Sequence, residues 1–232
     1  MIQIRPAAER GSTRISWLDN RHSFSFNRYY DPAHMGFRSL RVINDYFIAP
    51  GGKFGTHPHD NMEILTWVLS GSVVHQDSTG ARGEIRPGDA QKMSAGTGIF
   101  HSEANGSATK ELRLLQIWIL PHQEGLQPGY QQIHFSEADR TNRLRVIASR
   151  DGHDGSIVIH QDASVYNALL DPGVTVNHPL APTRHAWLQV ARGSVSLNGI
   201  ALREGDGAAV SEESALAISA QQPAEVLLFD LG

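Results

Sequence analysis

The sequence predicts an all-β protein made of two barrels. Three observations carry this expectation. Short runs of β-branched and aromatic residues, separated by Gly, Pro, Asn and Asp, punctuate the whole chain. Apolar residues at helical spacing are scarce. A plan of strand, Gly-Ser, strand, Gly-Asp, strand occurs twice, which is the mark of an internal duplication.

Taken in order, Ile2-Gln3-Ile4 alternates as a strand does, and Phe24 and Phe26 share a face with His22. Tyr30-Asp31-Pro32 and Met35-Gly36-Phe37 carry turn chemistry, and Leu40–Asp45 is a short strand stopped by Asn-Asp. Ala49-Pro50-Gly51-Gly52 is a loop. Ile64–Leu69 reads as a strand turned at Ser70-Gly71 into Ser72–His75, and Arg86-Pro87-Gly88-Asp89 is a second turn. Leu112–Leu120 is a long strand ended by Pro121, followed by a Gly/Pro/Gln-rich stretch over His122–Tyr130. From about Arg143 the pattern restarts, with strands expected at Leu144–Ile147, Ser156–Ile159 and Val165–Leu170 and a final buried one at Glu225–Leu231. Trp187–Val195 echoes Thr66–Val73, and Arg203-Glu204-Gly205-Asp206 echoes Arg86-Pro87-Gly88-Asp89.

The totals bound the function. At 232 residues the chain suits one large all-β domain or two small ones. Hydrophobic residues at 40% and charged residues at 19% fit a globular core. A net charge of −4 supplies no basic footprint for nucleic acid and no polybasic membrane patch. Cysteine is absent, which excludes disulfides, thiolate metal sites and a cysteine nucleophile. Residues 1–6 lack the apolar core of a signal peptide, and the longest apolar run, near Leu114–Leu120, is interrupted by Gln116. A soluble cytoplasmic protein is expected.

Two short pieces carry the chemistry: Thr56-His57-Pro58-His59 and Phe100-His101-Ser102-Glu103. Each places metal-ligating side chains at i and i+2, which point to one face of an extended strand. Two neighbouring strands of this kind aim three imidazoles and one carboxylate at one point. Such a donor set suits Fe, Ni, Cu, Mn or Zn and leaves octahedral positions open for a substrate. Pro58 requires an edge or a bulge there. Aligning Gly71 with Gly193 puts Pro179 and Ala181 at the places of His57 and His59. Aligning Asp89 with Asp206 puts Ile218 and Ala220 at those of His101 and Glu103. One site per chain, in the first half, is the expectation. His22 and His75 read as structural or surface residues, His160, His178 and His185 as non-functional, and Trp67 and Trp118 as barrel filling.

Gly51-x5-His57-x-His59-x3-Glu63, closed by Gly71 one residue late, resembles the first cupin motif. Gly88, Ser94-Ala95-Gly96 and His101-x3-Asn105 resemble the second, with a serine in place of the usual proline and two extra residues before the histidine. Trp17-Leu18-Asp19, His22–Phe26, Tyr29–Pro32, Leu40–Asn44, Gly55–His59, His75-Gln76-Asp77-Ser78, Met93–Ile99 and Gln116-Ile117-Trp118 extend the likeness over the whole chain. Together they resemble the pirin family, and within it the bacterial bicupin pirins with quercetinase activity.

The resemblance implies two tandem cupin (jelly-roll) β-barrels: residues 1–135 with the metal site and residues 136–232 without ligands. It implies His57, His59, His101 and Glu103 as ligands of one divalent metal per chain, Fe(II) first, with Ni, Cu, Mn, Co or Zn as further candidates. The reaction it implies is opening of the heterocyclic ring of flavonols such as quercetin by dioxygen, with release of carbon monoxide. A carboxylate must take the flavonol proton. Glu103 is the first candidate for that catalytic role and Glu63 the second, Glu63 being expected mainly to orient a histidine. Gln116 is a candidate pocket residue. Two other readings stand beside this one: a metal-binding, redox-sensing regulator acting through a protein partner, and a cupin enzyme on another small oxygenated substrate. The expected partners are a small planar polyphenol and dioxygen, with no direct nucleic-acid contact and no membrane, and the expected state is a monomer.

Overall fold

The computed structural model describes residues 1–232, and nearly all its regular structure is strand. The one α-helix, Glu137–Arg140, is four residues long and starts in a capping box of Ser136 and Asp139. The chain forms two compact units. The first holds Gly11–His134 and Ile159–Gln161; the second holds Met1–Arg10, Phe135–Val158 and Asp162–Gly232.

Each unit pairs a seven-stranded with a four-stranded antiparallel sheet, apart from one short parallel strand in the second. In the first unit the large sheet runs, in spatial order, Gly129–His134, Asp89–Ser94, Glu63–Ser70, Leu112–Ile119, Leu40–Ile48, Leu18–His22 and Gly11–Ile15. Its small sheet runs Lys53–His59, Ile99–Asn105, Val73–Asp77 and Arg82–Ile85. The second unit repeats this order. Its small sheet is Thr175–Pro179, Ala215–Ala220, Ser194–Leu197 and Ile200–Arg203.

The sequence expectation assigned residues 1–10 to the first barrel. The structure gives them to the second unit, where Ile2–Arg5 pairs with Gly207–Val210, Ile2 opposite Val210 and Arg5 opposite Gly207. The physical reason is an open edge. Gly207–Val210 is covered on one side by His185–Arg192, and its other side would present unpaired backbone groups. In the first unit Gly129–His134 closes the corresponding edge, on Asp89–Ser94. The N-terminal segment is also tied down by the Ala7 amide, which donates to Asp206 Oδ1 at 2.7 Å.

The repeated sequence blocks have a common mechanical cause. Gly71 and Gly193 have φ of +79° and +73°, and a Cβ there would lie 2.9 Å from Glu111 O and 2.2 Å from Pro223 O, respectively. Asp89 and Asp206 each accept a hydrogen bond from the amide three residues earlier, Arg86 N at 2.9 Å and Arg203 N at 2.8 Å. Both features build hairpins, so both barrels retain them.

Strand register corrects the alignment of the two halves. His101 lies opposite His57, and Leu216 lies opposite His178. Glu103 lies opposite His75, and Ile218 opposite Leu197. The second barrel therefore has His178, Leu216 and Ile218 at the places of His57, His101 and Glu103, not the Pro179, Ile218 and Ala220 read from turn glycines and aspartates. Sequence alignment on turns slips because loop lengths between the anchors differ. His178 is held by Asp230 at 2.8 Å among an apolar core that includes Val176, Leu180, Leu216 and Ile218. One imidazole remains, and Leu216 and Ile218 fill the places of His101 and Glu103.

The first barrel is apolar at one end, where Leu18, Tyr46, Ile48, Val68, Val73, Ile85, Leu112 and Leu114 cluster. Next to this cluster a polar row crosses the large sheet: His22, Asn44, Gln116, Thr66 and Gln91 lie opposite one another in successive strands, and all are buried. Directly opposed residues share a face.

The N-terminal strand gives the first prediction. Deleting residues 1–5 should raise amide hydrogen exchange across Gly207–Val210 while leaving Asp89–Ser94 protected. Equal exchange in both strands would show that the N-terminal pairing does not hold the second barrel's edge.

Candidate metal centre

Lys53–His59 is the edge strand of its sheet and pairs only with Ile99–Asn105. An edge position is why Pro58, with no N–H, is accommodated. Ile99 faces His59 and His101 faces His57; the register then shifts, and Glu103 faces Phe54. The edge strand sets two residues, Gly55 and Thr56, opposite one, Ser102, which is a bulge.

This pairing brings His57, His59 and His101 together, with one ring nitrogen of each within 4.8 Å of the others. His57 Nε2 and His101 Nε2 are 3.0 Å apart. His57 Nδ1 donates to Gly55 O at 2.8 Å, which leaves its Nε2 bare. His59 Nε2 is buried and has no hydrogen-bond partner. Two nitrogens held at right angles on one ion at about 2.1 Å are themselves about 3.0 Å apart. A cation bound by nitrogen donors therefore fits these rings. Burial, then the charges of His57, His59 and His75, push His101 down to about 2; burial, then His57, pushes His59 down to about 4. Both rings are neutral at physiological pH, as ligands must be.

Glu103 joins through His101, in a second group with His75 whose donor atoms also lie within 4.8 Å of one another. The carboxylate is buried and accepts from Gln116 Nε2 at 3.0 Å. Burial pushes its carboxyl up to about 7, with the Gln116 hydrogen bond opposing. Behind Gln116 runs a chain with one direction. Tyr46 OH donates to Gln116 Oε1 at 3.2 Å and accepts from Asn44 Nδ2 at 3.1 Å. Asn44 Oδ1 is 2.7 Å from His22 Nδ1, and His22 Nε2 is 2.8 Å from Thr13 Oγ1. Burial pushes the Tyr46 hydroxyl well up, so it keeps its proton and donates.

A cavity of about 440 Å³ opens over these groups. Its polar side carries His57, His59, Glu103 and Gln116, and its walls include Trp17, Phe26, Phe54 and Trp118. Trp118 meets His59 edge to face at 5.0 Å, so this tryptophan is a cavity wall and not only the filling expected of it. Glu63 lies elsewhere. Its buried carboxylate is 3.8 Å from Lys92 Nζ and 3.3 Å from His160 Nδ1. The strand is broken at Asn61, with φ of 44°, so Glu63 does not continue the face that carries His59. His22, Tyr46 and His75 are the residues that sequence reasoning undervalued. For His75 a signal existed: His75-Gln76-Asp77 is a third i, i+2 pair of donor residues on a strand.

Two barrels of this topology, with a three-imidazole cluster in the first and a buried carboxylate beside His101, define a bicupin protein with a metal-type centre. Residues 3–119 match the pirin family, and residues 146–231 match the quercetinase C-terminal cupin domain. The chain belongs to the pirin family. It is 49% identical to quercetin 2,3-dioxygenase of Escherichia coli K12 over 232 residues, covering 100% of this chain and 99% of that protein. The crystal structure of the bacterial pirin YhhW from Escherichia coli in complex with nickel(II) superposes with a TM-score of 0.95 at 47% identity, covering 100% of this chain and 99% of that one. A quercetin 2,3-dioxygenase structure from Acinetobacter baumannii, 21% identical with a TM-score of 0.75 over 95% of this chain and 84% of its own, shares the fold.

The raised Glu103 carboxyl sets a second prediction. Its folded value lies above the ordinary 4.5, so its contribution to stability is full below that pH and is lost as pH rises through about 7. Glu103→Gln cannot ionise. In urea unfolding of metal-free protein it should exceed wild type by on the order of 3 kcal/mol at pH 8 and match it at pH 4. A pH-independent difference would mean that Glu103 is not held neutral by burial.

Proposed function

We propose that this protein is a divalent-metal-dependent dioxygenase that opens the heterocyclic ring of flavonols such as quercetin and releases carbon monoxide. The observation that carries the reading is an aromatic-walled cavity whose polar side presents His57, His59 and Glu103, with His101 clustered with His57 and His59. Likeness to quercetin 2,3-dioxygenase over the full length supports the substrate class.

In this reading His57, His59, His101 and Glu103 hold one cation per chain. Fe(II) is the ion proposed; the same donors accept Ni, Cu, Mn, Co or Zn. When bound, the ion supplies a Lewis-acidic centre that acidifies the flavonol 3-hydroxyl. Trp17, Phe26, Phe54 and Trp118 offer faces and edges against which a planar polyphenol packs, and they exclude water from the reacting ring. Glu103 takes the hydroxyl proton, and the Gln116–Tyr46–Asn44–His22 chain holds its carboxylate in place. The flavonolate so formed is electron-rich. Both atoms of dioxygen enter the ring-opened ester, and the carbon that bore the hydroxyl leaves as carbon monoxide. The protein is proposed to act as a cytoplasmic monomer. No helix is long and apolar enough to cross a membrane.

The test is anaerobic reconstitution with Fe(II), Ni(II), Cu(II), Mn(II) or Co(II), followed by quercetin and oxygen. Loss of flavonol absorbance with carbon monoxide release is expected for wild type, and His57→Ala should lower the rate by more than about 100-fold. One metal bound per chain with no turnover for any metal would overturn the flavonol reading and favour a metal-dependent regulator.

A further inference from the structure

We infer that a second cavity, around Arg41, is a subsite for an anionic substituent, and that the protein prefers flavonols carrying a sulfate or carboxylate on an outer ring. The inference rests on the flavonol reading and deepens it, with Arg41 as the residue that recognises the charge.

The second cavity, of about 440 Å³, adjoins the metal cavity: Phe26, Asn27 and Trp118 line both. Trp118 meets His59 edge to face at 5.0 Å and Phe26 edge to face at 5.4 Å. Two ring contacts thus lead from the imidazole cluster to the boundary. There Phe26 and Tyr29 exchange backbone hydrogen bonds of 3.0 Å, which makes Asn27 and Arg28 the tip of a two-residue turn. Asn27, with φ of 53°, is exposed, so a planar ligand can cross the boundary over the tip without displacing a buried side chain.

The chemistry of the second cavity is one cation among largely apolar groups. Tyr29, Tyr30, Met35 and Met62 line it with Arg41, and no acidic residue does. Arg41 Nη1 donates to Ser25 O at 3.1 Å and to Met35 O. Its Nε and Nη2 make no hydrogen bond, and no carboxylate pairs with it. The one carboxylate between His22 and Arg41 in the chain is Asp31, which is engaged by the Ala33 amide at 3.0 Å, Tyr29 OH at 3.2 Å and His34 Nδ1 at 2.7 Å. A guanidinium presents its donors in a planar fork that matches the oxygens of a carboxylate or sulfate. Aromatic and thioether walls beside it suit the ring that carries the acid.

The plain alternative is that Arg41 only pins the segment before it, through its two carbonyl contacts. That task uses one of three nitrogens and does not require a charge. Lys53 is a competing cation: it lines the metal cavity, is exposed and has no ion pair. The two differ in their surroundings. Lys53 shares its cavity with the carboxyl of Glu103, whereas Arg41 shares its own with no acid. Arg41 is therefore the better site for an anion.

The test uses nickel(II)-loaded, full-length protein under nitrogen, where quenching of tryptophan fluorescence reads flavonol binding without turnover; oxygen is then admitted to read rates. Two matched pairs isolate charge at either end of the flavonol: quercetin 7-glucuronide against the 7-glucoside, and quercetin 3′-sulfate against the 3′-methyl ether. In wild type at least one acidic member should bind about tenfold tighter than its neutral match. Arg41→Gln should remove that preference, and Lys53→Gln should keep it. Met35→Glu puts an acid on an exposed wall of the cavity and leaves the backbone contacts of Arg41 in place, so it should also remove the preference. It keeps the test decisive if circular dichroism shows Arg41→Gln unfolded. Wild type that binds neither member of either pair, or both members of each within about twofold, overturns the inference. So does a preference that survives Arg41→Gln and Met35→Glu, or one that disappears in Lys53→Gln. Quercetin turned over without any charge preference would leave the flavonol reading standing and sink this one. A charge preference with no turnover for any of the five metals would do the reverse.

Discussion

Three imidazoles crowd one point of the first barrel, and the barrel is arranged around that constraint. Protonated rings at 3.0 Å would repel each other. Each ring therefore needs its hydrogen directed away from the shared point. Gly55 O takes it from His57. The edge-strand bulge serves the same end, because it supplies the Gly55 carbonyl and still lets His57 face His101.

A second buried chain comes from the opposite sheet. Thr13, His22, Asn44, Tyr46 and Gln116 all donate toward Glu103, so one carboxylate oxygen is fixed as an acceptor and the carboxylate is held beside the cavity. Five consecutive side chains in one direction leave no amide flip free, since turning either Asn44 or Gln116 would set donor against donor or acceptor against acceptor. Satisfied polar rows of this kind add rigidity where an apolar row would only add burial. In the second barrel the interior is apolar along most of the corresponding strands, and the remaining His178 is engaged by Asp230. The two barrels thus share hairpin mechanics and differ in what fills the interior.

Much of this was legible in the chain. Strand-length runs, turn glycines and the repeated Gly-Asp hairpin specify an all-β duplicated architecture, because Gly71, Gly193, Asp89 and Asp206 meet local backbone demands that any sequence must meet nearby. His57, His59, His101 and Glu103 stood out because spacing of two on a strand is a local rule. Residues whose role depends on distant partners were not legible. His22 and His75 looked structural, although the i, i+2 partner of His75, Asp77, was visible, and Glu63 looked aimed at the site.

The sequence by itself determined the class of fold and which four side chains could gather, since turn chemistry and strand periodicity act over a few residues. Only the tertiary structure decided how they are used. Register between strands far apart in sequence turned Glu63 toward Lys92 and His160, set His75 opposite Glu103, and aligned Gln116 with Asn44. It also sent the first ten residues to the second unit, where an open sheet edge needed a partner. Those choices are fixed by hydrogen-bond closure and burial across the whole sheet, which no short stretch of chain encodes.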